Sequence, residues 1–411
     1  MKVAEFSKKI EFALHICMLF FLMNALVPLW QQMSGNPYDA VEGDPIQRGI
    51  LLSGYVITLS TILIYPRKAF RLVRKSPLIW ILILWAALSI LWSGSPDITF
   101  RRVIGILLTT LYTLVLYIRY PFQSFLRLLG VAFLIAILFS LLMVIFIPEW
   151  GIMSSIHEGD WEGVFVNKNS LGKVSIFALF FFASLFSFSR NRNQLVLWAC
   201  AIILGIITLV GSHSVTALVV FGTMILGVFL IRAGRSWGKA WPIFLMLTSV
   251  ICGGVLILTI QNSEVLFDAL GRDTSLTGRV PLWDVLIPMG LRQPLGFGYG
   301  AFWLGWEGPS AEVWSRLNWF LPNAHNGFLE IWLNLGWVGL ALGIMLLGKI
   351  FFVNLPLALT GSKEAIFWLI LCLIIITYNL VEVNFFNQNN IFWVMIAYAY
   401  ISTQLRKPSS L

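Results

Sequence analysis

The chain has 411 residues, 58% of them hydrophobic and only 11% charged, with a mean hydropathy of +0.85 and a formal charge of +9. A water-soluble domain of this length carries roughly 25% charged residues, so this surface could not be kept in water. The basic residues are dispersed over many short segments, which excludes a nucleic-acid-binding surface.

Apolar runs long enough to cross a hydrocarbon core of about 30 Å recur along the whole chain. Twelve are predicted, at about 12–30, 49–66, 77–93, 103–119, 126–147, 170–189, 194–211, 214–231, 241–260, 326–352, 364–382 and 390–405. Each must be helical, because lipid leaves no partner for an open backbone group. The expected fold class is an all-α polytopic membrane protein, with 1–411 as a single transmembrane domain. The first run follows Lys2, Lys8 and Lys9, as a signal peptide would. It is long, however, and no Ala-x-Ala-like site follows, so it is read as a retained span. Cys17, Cys200, Cys252 and Cys372 all fall in predicted spans without metal-ligand or disulfide spacing, and read as small core residues.

Between the spans, Lys and Arg set the orientation. Arg67, Lys68, Arg71, Arg74 and Lys75, then Arg119 and Arg127, Arg190 and Arg192, and finally Arg406 and Lys407 fall on one side. That side is the cytoplasm, with both termini in it. The basic residues on the opposite side break this bias and need another reason. Arg101 and Arg102 open the fourth span. The first long outer loop, 148–169, carries Glu158, Asp160 and Glu162 and ends in Lys168, with Lys173 a turn further on. Positive charge at a helix start opposes the macrodipole, so these lysines suggest anion binding or pairing with the nearby carboxylates. Ser212-His213-Ser214 marks the tight turn between spans seven and eight, where His213 either assists a site or satisfies the turn.

The second outer loop, 261–325, is too long for a plain connector. Pro281 predicts a helix start, and the apolar stretch from Leu282 to Leu291 continues it to Gln293-Pro294. Arg279 lies at the head of this helix, where backbone N–H groups, dipole and guanidinium together suit a phosphate. Arg272 and Arg292 are weaker versions of the same idea. The turn from Leu295 to Gly300 has no preceding strand and is not a dinucleotide loop. His325, in Pro322-Asn323-Ala324-His325-Asn326-Gly327, precedes span ten. At a helix N-terminus a neutral imidazole is favoured, able to accept a proton; the alternative is a residue that caps the span. Glu382, near the end of span eleven, is costly in lipid and is expected to face the bundle or a polar cavity. Cations, one histidine and a long loop on one face imply an anionic, membrane-borne substrate such as a lipid-linked diphosphate.

Six segments carry a resemblance. They are 165–172, 212–217, 276–283, 294–303, Ala324-His325-Asn326-Gly327-Phe328-Leu329-Glu330, and Leu335-Gly336-Trp337-Val338-Gly339-Leu340. In order and spacing they resemble the O-antigen ligase and polymerase superfamily, most of all its exopolysaccharide-polymerase (ExoQ-like) branch. The resemblance implies a GT-C-like bundle in the bacterial inner membrane with its active face in the periplasm. It implies a metal-independent, inverting glycosyltransferase that needs no cofactor. The donor is an undecaprenyl-diphosphate-linked glycan and the acceptor a sugar hydroxyl, with membrane lipids and other polysaccharide-assembly proteins as partners. Carried over by motif, His325 and Arg279 are the catalytic residues. Arg272, Lys168 and Arg102 are candidates for the diphosphate, and Asn169, His213, Tyr299 and Asn326 for further substrate contacts. The segment Ser212-His213-Ser214-Val215 departs from the pattern, with His for a small polar residue and Val for an Arg. Polymerase is favoured over ligase. A transporter of lipid-linked oligosaccharide is the reading from another class, and no pair of broken helices supports it.

Overall fold

The computed structural model describes residues 2–34, 44–154, 158–237 and 279–406. Predicted span nine, Cys252, Arg272 and the start of the second long loop lie outside the described residues. Among those described, the chain is helical, with one isolated antiparallel bridge between Ile152 and Trp161. Among the described residues, seven helices are long and apolar enough to cross a membrane, or eight if one bent pair is a single span.

The chain divides into two compact units. The first comprises Met1–Ile83, Arg101–Gly222 and Asn384–Leu411; the second comprises Leu84–Phe100 and Thr223–Val383. The sequence reading treats the spans as one bundle.

In the first unit, α1 (Lys2–Phe21) ends well short of the predicted 12–30 run, at a turn with Asn24 and Leu26 in the left-handed region. After α2 (Val27–Ser34) come α3 (Pro45–Ile64) and α4 (Pro66–Lys75). A loop is expected at α4, but it is a helix with Arg67, Lys68, Arg71, Arg74 and Lys75 exposed, and Ala69 and Leu72 buried. It meets α5 (Pro77–Leu88, extended to Leu91 by a 3-10 turn) at 87°. Helix α6 (Pro96–Arg119), α7 (Phe122–Phe146), the single turn α8 (Pro148–Gly151), α9 (Lys168–Phe188), α10 (Arg192–Gly211) and α11 (Val215–Trp237) follow, with Leu84–Phe100 of α5 and α6, and α11 from Thr223 on, belonging to the second unit. Helices α7 and α9 pack through rings such as Phe133 and Phe181. Exposed side chains such as Leu63 and Phe146 are the apolar surface that only lipid can cover.

In the second unit are α12 (Arg279–Arg292), α13 (Ser310–Leu317), α14 (Gly327–Leu359) and α15 (Lys363–Asn379). The closing helix α16 (Ile391–Leu405) returns to the first. Predicted span twelve corresponds to α16, which has 15 residues, short of the roughly 20 needed to span. Its residues from Ile391 to Thr403 are all buried, so its hydrophobicity records packing within the unit. Cys372 is buried, as a small core residue would be, whereas Cys17 and Cys200 are exposed on their helices.

Predicted span ten is not a continuous helix. Gly336 breaks α14 with φ 62° and ψ −162°, and a Cβ there would meet Pro294 O at 2.0 Å. The turn after α12 fills the break with its own backbone. Phe297 N–H donates to Leu333 O, Gly298 N–H to Asn334 O, and Trp337 N–H to Pro294 O. Gly296, at φ 77°, sits against the Asn334 carbonyl where a side chain has no room. The glycines that superficially suggest a nucleotide loop therefore stitch a turn into a broken helix.

Candidate active site

Helix α12 places Arg279. Leu282, Leu286 and Met289 recur at helical spacing and pack with Phe302, Trp303, Val313 and Leu321 in one apolar core. Arg279 stands three residues before Leu282 and seven before Leu286, so the same face carries it inward. It is buried. A buried guanidinium needs a partner, and its Nη2 donates to Glu382 Oε1 at 2.9 Å. Glu382 lies just beyond α15, where its backbone N–H donates to Tyr378 O.

His325 meets the other oxygen of that carboxylate. Its Nδ1 is 3.8 Å from Glu382 Oε2, beyond hydrogen-bond range. The nitrogen is buried and has no hydrogen-bond partner among the described residues. The cap of α14 is Asn326 rather than His325: Asn326 Oδ1 accepts from the N–H groups of Phe328 and Leu329. Asn326 Nδ2 donates to Leu380 O, so this side chain is spent on the fold. His325 stands one residue earlier, in the left-handed region at φ 47°, and its N–H donates to Asn323 Oδ1. Strain of this kind in a non-glycine residue persists only where neighbours enforce it.

Glu330 enforces it. Its Oε2 accepts from Ala324 N–H at 2.9 Å and from Trp303 Nε1 at 3.0 Å, and its Oε1 accepts from Asn334 Nδ2. Trp283 Nε1 donates to Ala324 O. The residue before His325 is thus held at both its N–H and its carbonyl.

The first unit holds a second arrangement of the same kind. Lys168 is buried, and its Nζ donates to Asp160 Oδ2 at 2.6 Å. His213 Nδ1 bonds Asp160 Oδ1 at 2.7 Å, and His213 too is left-handed, at φ 44°. Its side chain is 60% exposed. Burial opposes ionisation of Asp160, but the bonds from Lys168 and His213 prevail and hold its carboxyl below the usual value. Two residues on, Glu162 lines a cavity of about 20 Å³ with Leu26 and Trp150, room for about one water. Burial alone lifts its pKa to about 7.

The other expected contacts are placed as follows. Asn169 Oδ1 accepts from Ser214 Oγ, tying α9 to the turn that carries His213. Lys173 donates to Asn384 and sits over the Phe392 ring. Arg102 is half-buried on α6 in the first unit. Tyr299 is buried in the second unit, its N–H donating to Ser89 Oγ. In the second unit, a groove of about 310 Å³ is lined by Arg292, Gln293, Phe297 and Glu312 among others.

Asp160, Glu330 and Glu382 are absent from the sequence-derived set of site residues. Asp160 is one of three acidic residues within five positions, and nothing local distinguishes it. Glu382 carries a signal, a lone carboxylate at the end of an apolar run, but not the identity of its partner. Glu330 sits four residues after the capping Asn326, a spacing that brings its carboxylate back over the helix start.

The fold and site define a class: a polytopic helical membrane protein in which a buried arginine is paired to a carboxylate beside a strained histidine. The sequence model of the family described as O-antigen ligase matches residues 199–344, which include His213, Arg279 and His325. The chain is 26% identical over 330 residues to the exopolysaccharide production protein ExoQ of Rhizobium meliloti (strain 1021), covering 76% of this chain and 73% of that protein. It is thus similar to the O-antigen ligase and polymerase superfamily, including the ExoQ-like branch that its motifs indicate.

Proposed function

We propose that this chain is a bacterial inner-membrane glycosyltransferase that works at the periplasmic face. It moves glycan from an undecaprenyl-diphosphate donor to a sugar hydroxyl and so polymerises exopolysaccharide or O-antigen repeat units. The observation that carries this reading is the meeting of Arg279 and His325 at one carboxylate, Glu382. An acid-base group and a phosphate-binding cation within reach of one point are what a displacement at a sugar diphosphate requires.

The acceptor oxygen attacks the anomeric carbon as the bond to the diphosphate oxygen breaks. The departing diphosphate takes the electron pair. His325 accepts the acceptor's proton, and Arg279 stabilises the negative charge with the guanidinium N–H groups that Glu382 does not engage. Glu382 fixes Arg279 and stands beside His325 Nδ1, close enough for a small shift of the ring to make the bond. A single displacement inverts the anomeric configuration. Arg272 adds positive charge for the diphosphate.

The test is turnover of purified protein on lipid-linked glycan, with the product anomer read by NMR. Undiminished turnover in both His325→Ala and Arg279→Ala proteins would overturn the assignment. The O-antigen ligase description of the matching family supports a second reading, transfer to lipid A core or another terminal acceptor. Long lipid-linked chains among the products mark a polymerase, and glycan-capped lipid A core marks a ligase.

A further inference from the structure

The stretch from α12 to the start of α14 holds five tryptophans, at 283–319. Three of them bond the protein through the indole N–H. Trp283 donates to Ala324 O, Trp303 to Glu330 Oε2 and Trp314 to Leu321 O. These three brace the loop that presents His325. Trp306 and Trp319 make no such bond among the described residues, and both are exposed, at 62% and 37%.

Trp319 lies beside the histidine. Its ring is nearly parallel to the His325 imidazole, at 14°, with the centroids 6.1 Å apart. Asn318 delivers it there by ending α13 in the left-handed conformation, φ 49°. The neighbouring Phe320 is 66% exposed and packs edge-on with Trp306 and Trp314. Trp306 and Phe320 thus form one exposed aromatic group, and Trp319, the residue before Phe320 in the chain, stands beside the His325 ring.

We propose that Trp319, continued by Phe320 and Trp306, is the subsite for the acceptor sugar. The C–H face of a pyranose is apolar and slightly positive, and it stacks on an electron-rich aromatic face. The unengaged indole N–H groups at Trp319 and Trp306 are donors for the ring hydroxyls. A sugar stacked on Trp319 holds its hydroxyl at the edge of the ring nearest the imidazole, which is where the acceptor proton must leave. The exposed group of Phe320 and Trp306 offers rings for the rest of the glycan.

The subsite rests on the proposed function, and the experiment keeps the two apart. The probe is a set of short oligosaccharides cut from the polysaccharide of the producing strain, free of lipid and diphosphate. Binding to the full-length protein in nanodiscs is followed by saturation-transfer NMR. In parallel, turnover on lipid-linked donor is measured against acceptor concentration. Trp319→Ala is expected to weaken fragment binding and raise the acceptor KM by roughly tenfold, with the donor KM within about twofold of the parent. Trp319→Phe, which keeps a ring without its N–H, should lose roughly a third of that effect on a logarithmic scale.

Fragment binding that ignores Trp319→Ala overturns the subsite, as does a parent protein that binds no fragment. Quenching of Trp319 by brominated lipid with no response to sugar overturns it as well, by showing a membrane anchor. Trp319-dependent binding by a protein that transfers no glycan sustains the subsite and removes the transferase reading. Transfer without dependence on Trp319 does the reverse.

Discussion

Each unit of this molecule carries a carboxylate between a buried cation and a histidine in the left-handed region, yet the two groups are not equivalent. In the first unit Asp160 is saturated: Lys168 takes one oxygen at 2.6 Å and His213 the other at 2.7 Å. In the second unit Glu382 holds Arg279 at 2.9 Å but stands 3.8 Å from His325, whose Nδ1 has no hydrogen-bond partner among the described residues. Exposure runs the other way, with 60% for His213 and 23% for His325. A saturated group with its histidine in the open closes a turn. A sheltered histidine whose Nδ1 has no hydrogen-bond partner among the described residues keeps capacity that a substrate can use. Under the proposed function, the same residue types would serve structure in one place and chemistry in the other.

The largest expected difference between them is in turnover. His325→Ala should lower kcat by about 10²–10⁴-fold, the usual worth of a positioned acid-base group. His213→Ala should lower it by less than about tenfold, because its partner Asp160 retains Lys168. Equal losses in the two variants, measured on lipid-linked glycan, would erase the distinction drawn between the units.

Stability should respond alike on both sides. Removing the carboxylate strands a buried cation, and Asp160→Ala and Glu382→Ala should each cost about 3 kcal/mol, visible as a lower thermal midpoint in detergent. Only the Glu382 variant should lose turnover beyond what its stability loss explains. The control is Glu330→Gln, which keeps the side chain's shape and one acceptor. It should lower kcat by roughly tenfold with a smaller change in midpoint, because it loosens the residue before His325 without stranding a charge.

The smallest effects are those of pH. Asp160 has a lowered folded-state pKa, so its contribution is present above the ordinary aspartate value of 3.8 and is lost as pH falls through the lower one. Glu162 behaves oppositely. Its pKa is raised from 4.5 to about 7, so the folded chain holds the proton that the unfolded chain releases, and stability declines as pH rises across that window. Glu162→Gln should therefore stabilise the protein above pH 7, on the order of 1 kcal/mol after solvent screening, and leave it unchanged near pH 4. A thermal midpoint that moves equally at both pH values would show that Glu162 is not titrating in that range.

Much of the architecture could be read from hydrophobic run length, because lipid imposes one requirement everywhere: about 20 apolar residues in a helix. That rule identifies α3, α6, α7, α9, α10 and α11. It does not settle α16, which has 15 residues, since a helix buried inside a unit is as apolar as one facing lipid. It finds α14 too, but hydropathy does not register the single dihedral that breaks the helix at Gly336. The loop helix α12 was legible through Pro281 and the spacing of Leu282 and Leu286. That spacing also turns Arg279 inward, so this much of the site was already in the pattern.

What the sequence determined by itself was therefore the medium, the helical class, and the residue types at the head of α12 and before α14, because each depends on composition and near-neighbour spacing. Only the tertiary structure decided which carboxylate each cation meets. Glu382 is 103 residues from Arg279, and Asp160 is 53 from His213. No periodicity operates over such separations, so packing alone left one of these groups saturated and the other with an unpaired nitrogen.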